Sequence, residues 1–139
     1  MADPGIGARV APDEAPPTVE RIGRSHRLIA ARDWSRMRSG GAATRGRHLL
    51  AVVVRAPGEP TRVGFVASRR GVGGAVQRNR ARRRIREILR RRWARVPLEG
   101  LLVMLIAHRS ALTASHAELA SDVERVLTAA GAMAPVTEG

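Results

Sequence analysis

The side chains able to do chemistry in this chain of 139 residues are overwhelmingly of one kind. Its 25 basic residues other than histidine are all arginine; with 12 carboxylates against them the formal net charge is +13, and the isoelectric point lies near 12.0. A planar guanidinium forks onto phosphate oxygens with two N–H bonds and stacks on bases, which a lysine ammonium cannot do. Such a balance points to a polyanionic partner. A GC-rich genome is another reason for Arg in place of Lys, but it does not explain the excess of positive charge. The remaining reactive groups are sparse. His26, His48, His108 and His116 are scattered without ligand spacing, and no Ser or Thr lies in a nucleophile motif. No catalytic residue and no metal site is therefore expected in the protein itself. The chain has no cysteine, which excludes a disulfide framework or thiolate metal site and is compatible with a reducing compartment.

The arginines are concentrated. From Arg69 to Arg95 twelve arginines meet one acid, Glu87. Within that stretch Ala81, Ile85, Ile88, Leu89, Trp93 and Val96 recur at helical spacing, which predicts a helix over 75–94 with one apolar stripe. Its other faces are arginine. Like charges at i,i+4 destabilise a helix, yet Arg78, Arg82 and Arg86 repeat that spacing while Arg80, Arg84 and Arg91 extend the charge around the side. A charge run is usually a solvated face; repulsion this dense points to phosphates as the missing anions.

The rest of the chain supplies the elements that must position this helix. Residues 31–39 predict a short helix, Gly40 and Gly41 a turn, and 47–55 a strand. Ala56-Pro57-Gly58-Glu59-Pro60 reads as a turn cluster, and 62–68 alternates as a second strand with Val63, Phe65 and Ala67 on one face. Pro97 and Gly100 stop the basic helix, and the apolar run 101–108 suits a strand buried on both faces. Ser115-His116-Ala117-Glu118 has the capping-box pattern and opens a last helix with Leu119, Val123, Val126, Leu127 and Ala130 inside and Gly131 just past its end. The order helix, strand, strand, helix, strand, helix predicts an α+β fold, an α/β sandwich with helices packed against a small sheet.

One domain over 21–131 is expected. Residues 1–20 are rich in Pro, Gly and Ala, with Asp3, Asp13, Glu14 and Glu20 opposed only by Arg9, and are expected to be a disordered extension. Residues 132–139 are expected to be a flexible tail. Residues 1–7 carry no apolar run, and the longest such stretch, 101–107, has seven residues. Neither a signal peptide nor a membrane span is expected, and the chain reads as cytoplasmic with no membrane partner.

Gly64-Phe65-Val66-Ala67-Ser68-Arg69-Arg70, a short glycine loop, and then Arg78-Asn79-Arg80-Ala81-Arg82-Arg83-Arg84-Ile85-Arg86-Glu87 resemble the signature of the bacterial ribonuclease P protein component family. Arg27-Leu28 and Asp33-Trp34 before Gly41 are similar to the opening of the same family, so the resemblance covers about 24–130. It implies a strand–helix–strand unit with a left-handed crossover, a detail that periodicity would not produce. It further implies the protein subunit of a ribonucleoprotein endoribonuclease that removes the 5′ leader of precursor tRNA, with catalysis residing in the RNA subunit and its bound Mg²⁺. By the same resemblance Arg69, Arg70, Arg78, Asn79, Arg80, Arg82, Arg83 and Arg86 contact the catalytic RNA. Asn79 is the member that charge does not explain: its amide either fixes the backbone at the start of the helix or hydrogen-bonds RNA.

The family also has a leader-binding cleft between the first helix and a sheet face, and the resemblance places Trp34, Arg38 and Val52 there. Trp34 is otherwise a core residue of an amphipathic helix. Arg38 and Val52 stand where aromatics are common in the family, so this cleft is expected to grip the leader less by stacking and more by charge, with the Arg38 guanidinium able to stack in part. Two other functions fit the composition. A structural ribosomal RNA-binding protein is separated from the first reading only by the 78–87 motif and Trp34. A sequence-specific DNA-binding protein would want a helix-turn-helix, and the preceding strands and glycine loop argue against it, so no DNA partner is expected.

Overall fold

The computed structural model describes His26 and residues 31–134; the expected extension at 1–20 and the Arg27-Leu28 pair lie outside the described residues. The chain runs as α1 (Ala31–Gly40), β1 (Ala42–Arg45), β2 (Leu49–Pro60), β3 (Arg62–Val66), α2 (Ala75–Arg91), β4 (Glu99–Ala107) and α3 (His116–Ala129). Short 3-10 turns at Trp93–Arg95 and Arg109–Leu112 flank β4. The four strands form one mixed sheet in the order β1-β2-β4-β3. β1 and β4 pair antiparallel with β2, and β3 lies parallel to β4, as a strand–helix–strand unit through α2 requires.

Strand alternation divides the sheet into two unequal faces. Leu49, Ala51, Val63, Leu101, Val103 and Leu105 point to one side, where they are buried with Ile85, Ile88 and Leu89 of α2 and Leu119, Val123, Val126 and Leu127 of α3. Phe65 packs against this core, and Ala67 is buried in it, so the predicted face of the second strand is confirmed. Among the described residues the opposite side is covered by α1 alone. There Met37, Val52, Ala56 and Leu102 are buried, while Trp34, Leu50, Val54, Met104 and Ile106 are only half-buried.

α3 begins as its capping box predicts: the Ser115 side chain accepts from the Glu118 N–H at 3.1 Å, and the Glu118 carboxylate accepts from the Ser115 N–H at 3.2 Å. It ends with Gly131 at φ +79°, where the Gly131 and Ala132 N–H groups return to the Thr128 and Leu127 carbonyls, a left-handed closure that favours glycine.

Four expectations need correction. A strand, β1, precedes the first predicted one. The Ala56–Pro60 segment is not a turn but the end of β2, which shifts register between Ala56 and Pro60 with Gly58 at φ +82°. The basic helix ends at Arg91 and continues as a 3-10 turn. The domain also extends past 131: Ala132 and Met133 are buried, and the Ala134 N–H donates to the Arg95 carbonyl at 2.9 Å.

Candidate nucleic-acid interface

The basic helix is launched from a tight loop. The Ser68 hydroxyl accepts from the Gly71 N–H at 2.8 Å, the Val72 N–H donates to the Ser68 carbonyl at 2.9 Å, and Val72 is fully buried. Gly73 sits at φ +138°, which favours glycine there. Gly74 is the N-cap of α2 and offers no side-chain cap, and the first turn holds no acid. Arginines beside the positive end of a helix oppose its dipole. The arrangement suits an anion brought by a partner.

Eleven of the twelve arginines divide into two sets. Arg69, Arg70, Arg80 and Arg83 are exposed and have no ion pair among the described residues. Arg78 is half-buried, and its buried Nε has no hydrogen-bond partner there. Arg82 donates to the Asn79 Oδ1 at 2.5 Å, and the Arg86 guanidinium lies 5.5 Å from the centre of the Phe65 ring, within cation–π range. Farther along the helix the charge is used internally. Arg90 and Arg91 both pair with Glu87, while Arg92 and Arg95 reach Glu124 at 2.6 and 3.2 Å. Arg90 holds the Glu87 carboxyl below its ordinary value, and Arg92 does the same for Glu124.

Arg84, expected to extend the outer charge, turns inward. It donates to the Ala111 and Ala114 carbonyls at 2.6 and 2.7 Å. All eight residues expected to contact RNA thus lie on α2 up to Arg86 or in the loop before it. Asn79 takes a position neither alternative foresaw, orienting Arg82 one turn away.

On the other side of the sheet α1 packs along an apolar, partly exposed face. Trp34 and Met37 pack over Val52, which is only 9% exposed and therefore serves as the floor. A Cβ on Gly41 would lie 2.3 Å from Val52 Cγ1 and 2.7 Å from the Met37 carbonyl, so the chain leaves α1 through glycine because nothing larger fits. Arg38 is exposed. Trp34 and Val52 thus share one region, with Leu50, Val54, Met104 and Ile106 continuing it along the sheet, and Arg38 stands one helical turn after Trp34 on α1.

Two buried carboxylates that sequence reasoning missed hold this geometry. Asp33 is 1% exposed and takes two bonds from Arg62, at 3.0 and 2.8 Å. Arg62 also bonds Glu59 at 2.9 Å, which Arg36 grips at 3.0 and 3.1 Å. These two guanidinium groups hold the Glu59 carboxyl down at about 2. The second acid, Asp122, accepts from the Arg47 and His48 N–H groups at 3.1 and 2.8 Å. The only local signal was the acid itself: an Asp beside Trp34, and an Asp within the apolar spacing of α3.

The chain matches the Ribonuclease P family model over residues 22–131. It belongs to the ribonuclease P protein family. Among curated relatives it is 42% identical over 121 residues to the ribonuclease P protein component of Streptomyces avermitilis, covering 80% of this chain and 91% of that one. It is 43% identical over 83 residues to that of Symbiobacterium thermophilum, covering 60% and 70%. Among solved structures the Staphylococcus aureus RNase P protein superposes with a TM-score of 0.68 at 22% identity, over 79% of this chain and 99% of that one. The Thermotoga maritima RNase P protein gives 0.64 at 22%, over 81% and 98%. The α+β architecture with its mixed sheet is thus the fold of ribonuclease P proteins.

Proposed function

We propose that the chain is the protein subunit of ribonuclease P, a ribonucleoprotein endoribonuclease, and promotes removal of the 5′ leader of precursor tRNA. The observation that carries this reading is the split of the basic helix in a member of this family: arginines with no carboxylate partner among the described residues up to Arg83, and neutralised ones after Arg86. In the proposed complex Arg69, Arg70, Arg78, Arg80, Arg82, Arg83 and Arg86 bind phosphates of the catalytic RNA, and Asn79 aims Arg82. The cleft of Trp34, Arg38 and Val52 receives the single-stranded leader, Trp34 by stacking and Arg38 by charge. A purely structural ribosomal role has no separate observation in its favour.

Catalysis is assigned to the RNA subunit. Among the described residues no three His, Cys, Asp or Glu side chains gather into a group that could hold a metal, and in this reading the Mg²⁺ of the reaction is assigned to the RNA. The protein contributes charge neutralisation and substrate positioning. No helix among the described residues is long and apolar enough to cross a membrane. Reconstitution tests the reading: added to a bacterial ribonuclease P RNA at low Mg²⁺, the protein is expected to restore 5′ processing of precursor tRNA. Failure to stimulate processing while the folded protein is present would refute it.

A further inference from the structure

The two ends of the apolar cleft differ in charge, and the difference gives it a direction. At one end, where Arg62 pairs with Leu102 in the ladder, the guanidinium groups of Arg36 and Arg62 are matched by the carboxylates of Asp33 and Glu59. At the other end Arg45 pairs with Leu50, placing it on the cleft face beside the half-buried Leu50. Arg45 and the neighbouring Arg47 are exposed, and neither side chain has an ion pair among the described residues.

That cationic end is held in place. Asp122 fixes the turn between β1 and β2 through the Arg47 and His48 N–H groups, and a Cβ on Gly46 would lie 2.5 Å from Val126 and 2.7 Å from the Asp122 carboxylate. The Ser110 hydroxyl donates to the Arg47 carbonyl at 3.3 Å, and His108 Nδ1 approaches it at 3.4 Å. From the same 3-10 turn Arg109 donates to the Val72 carbonyl at 3.3 Å, in the loop that launches α2. The β1–β2 turn, the turn after β4 and the start of the RNA-binding helix therefore form one hydrogen-bonded rim. The buried acid spends its bonds on backbone N–H groups and Arg125, which leaves Arg45 and Arg47 unneutralised.

We infer that Arg45 and Arg47 form a phosphate-binding mouth of the cleft, gripping the sugar-phosphate backbone of the single-stranded leader as it passes between the cleft and the start of α2. The inference rests on the cleft reading proposed above and adds to it the end at which charge takes hold. Phosphate contacts fix register and carry no sequence information, so this mouth positions the leader without selecting its bases.

The test is Arg45→Gln with Arg47→Gln in the reconstituted holoenzyme, measured with precursor tRNA carrying a ten-nucleotide leader and with mature tRNA. Both side chains are exposed, so the melting temperature is expected to stay unchanged. Affinity for the precursor should fall, and the slope of log K against log salt should flatten by about 1.4, two contacts at ~0.7 each for single strands. Mature tRNA should bind parent and variant alike. An unchanged slope would show the two arginines to be solvated, and an equal loss for both tRNAs would place them on the catalytic RNA; either result overturns the inference. If the parent holoenzyme gains nothing over RNA alone from the leader, the cleft reading falls and takes this inference with it. A leader-dependent gain that survives in the variant sinks the mouth alone.

Discussion

Arg82 donates to the Asn79 side-chain oxygen one turn back along α2, at 2.5 Å. The bond leaves the guanidinium charge intact and restricts where it points. Asn79→Ala is therefore expected to weaken assembly with the catalytic RNA by about 0.5–1.5 kcal/mol, the usual net worth of a hydrogen bond, while leaving its salt dependence unchanged. Asn79→Asp should instead neutralise Arg82 and flatten the salt slope. Titrations at several salt concentrations distinguish the two, and identical behaviour of both variants would deny Asn79 an orienting role.

Arg84 should behave unlike its neighbours. Its two bonds go to the Ala111 and Ala114 carbonyls, in residues that are both buried. Arg84→Ala is expected to lower stability by about 1–3 kcal/mol, the cost of leaving buried polar groups unsatisfied, without altering the RNA salt slope. A denaturant melt reads the first effect. A flattened slope without loss of stability would place Arg84 on the RNA surface instead.

Acid should unfold the protein through its paired carboxylates. Glu59 is held down at about 2 by Arg36 and Arg62. At Asp122 burial pushes the carboxyl up, but the N–H groups of His48 and Arg47 and the Arg125 guanidinium outweigh it and bring it below the ordinary value. Folded values below unfolded ones mean that the unfolded chain binds more protons in acid, so stability is full above the unfolded values and is lost as pH falls. For Glu59 that loss runs from 4.5 down to about 2. Melting temperatures are expected to be flat from neutrality to about pH 5 and to drop below it. A melting temperature that rises on acidification would contradict the carboxylate network.

Much of this fold was legible because the signals were local. The stripe Ala81, Ile85, Ile88 and Leu89 and the Ser115–Glu118 capping box each sit within one helix. β1 was not legible, since Ala-Ala-Thr-Arg has no apolar alternation and is mostly exposed. The prolines of β2 misled for a positional reason. β1 pairs with β2 only as far as Val53, so beyond that point one side of β2 has no ladder for Pro57 and Pro60 to break. The division of the arginines was equally hidden, because Glu124 stands 32 residues from Arg92 and Asp33 stands 29 from Arg62. Chain spacing shows how many charges there are; only folding shows which are neutralised.

Trp34 tests the cleft. It is half-buried against Met37 and Val52, so Trp34→Ala is expected to cost about 1–3 kcal/mol in affinity for precursor tRNA if one base stacks there, with mature tRNA unaffected. Equal losses for both tRNAs would make Trp34 a residue of the hydrophobic core.

On the proposed reading α2 binds the catalytic RNA through the arginines from its start to Arg86, Arg84 apart, and not through the carboxylate-paired ones beyond. The most direct measurement is the salt dependence of protein–RNA assembly for two variants, Arg82→Ala with Arg83→Ala and Arg86→Ala, and Arg92→Ala with Arg95→Ala. The first is expected to flatten the slope of log K against log salt by roughly 0.7–0.9 per lost phosphate contact. The second should lower the melting temperature and leave the slope as it was. Equal slopes for the parent and the first variant, or an equal flattening in both variants, would contradict the account.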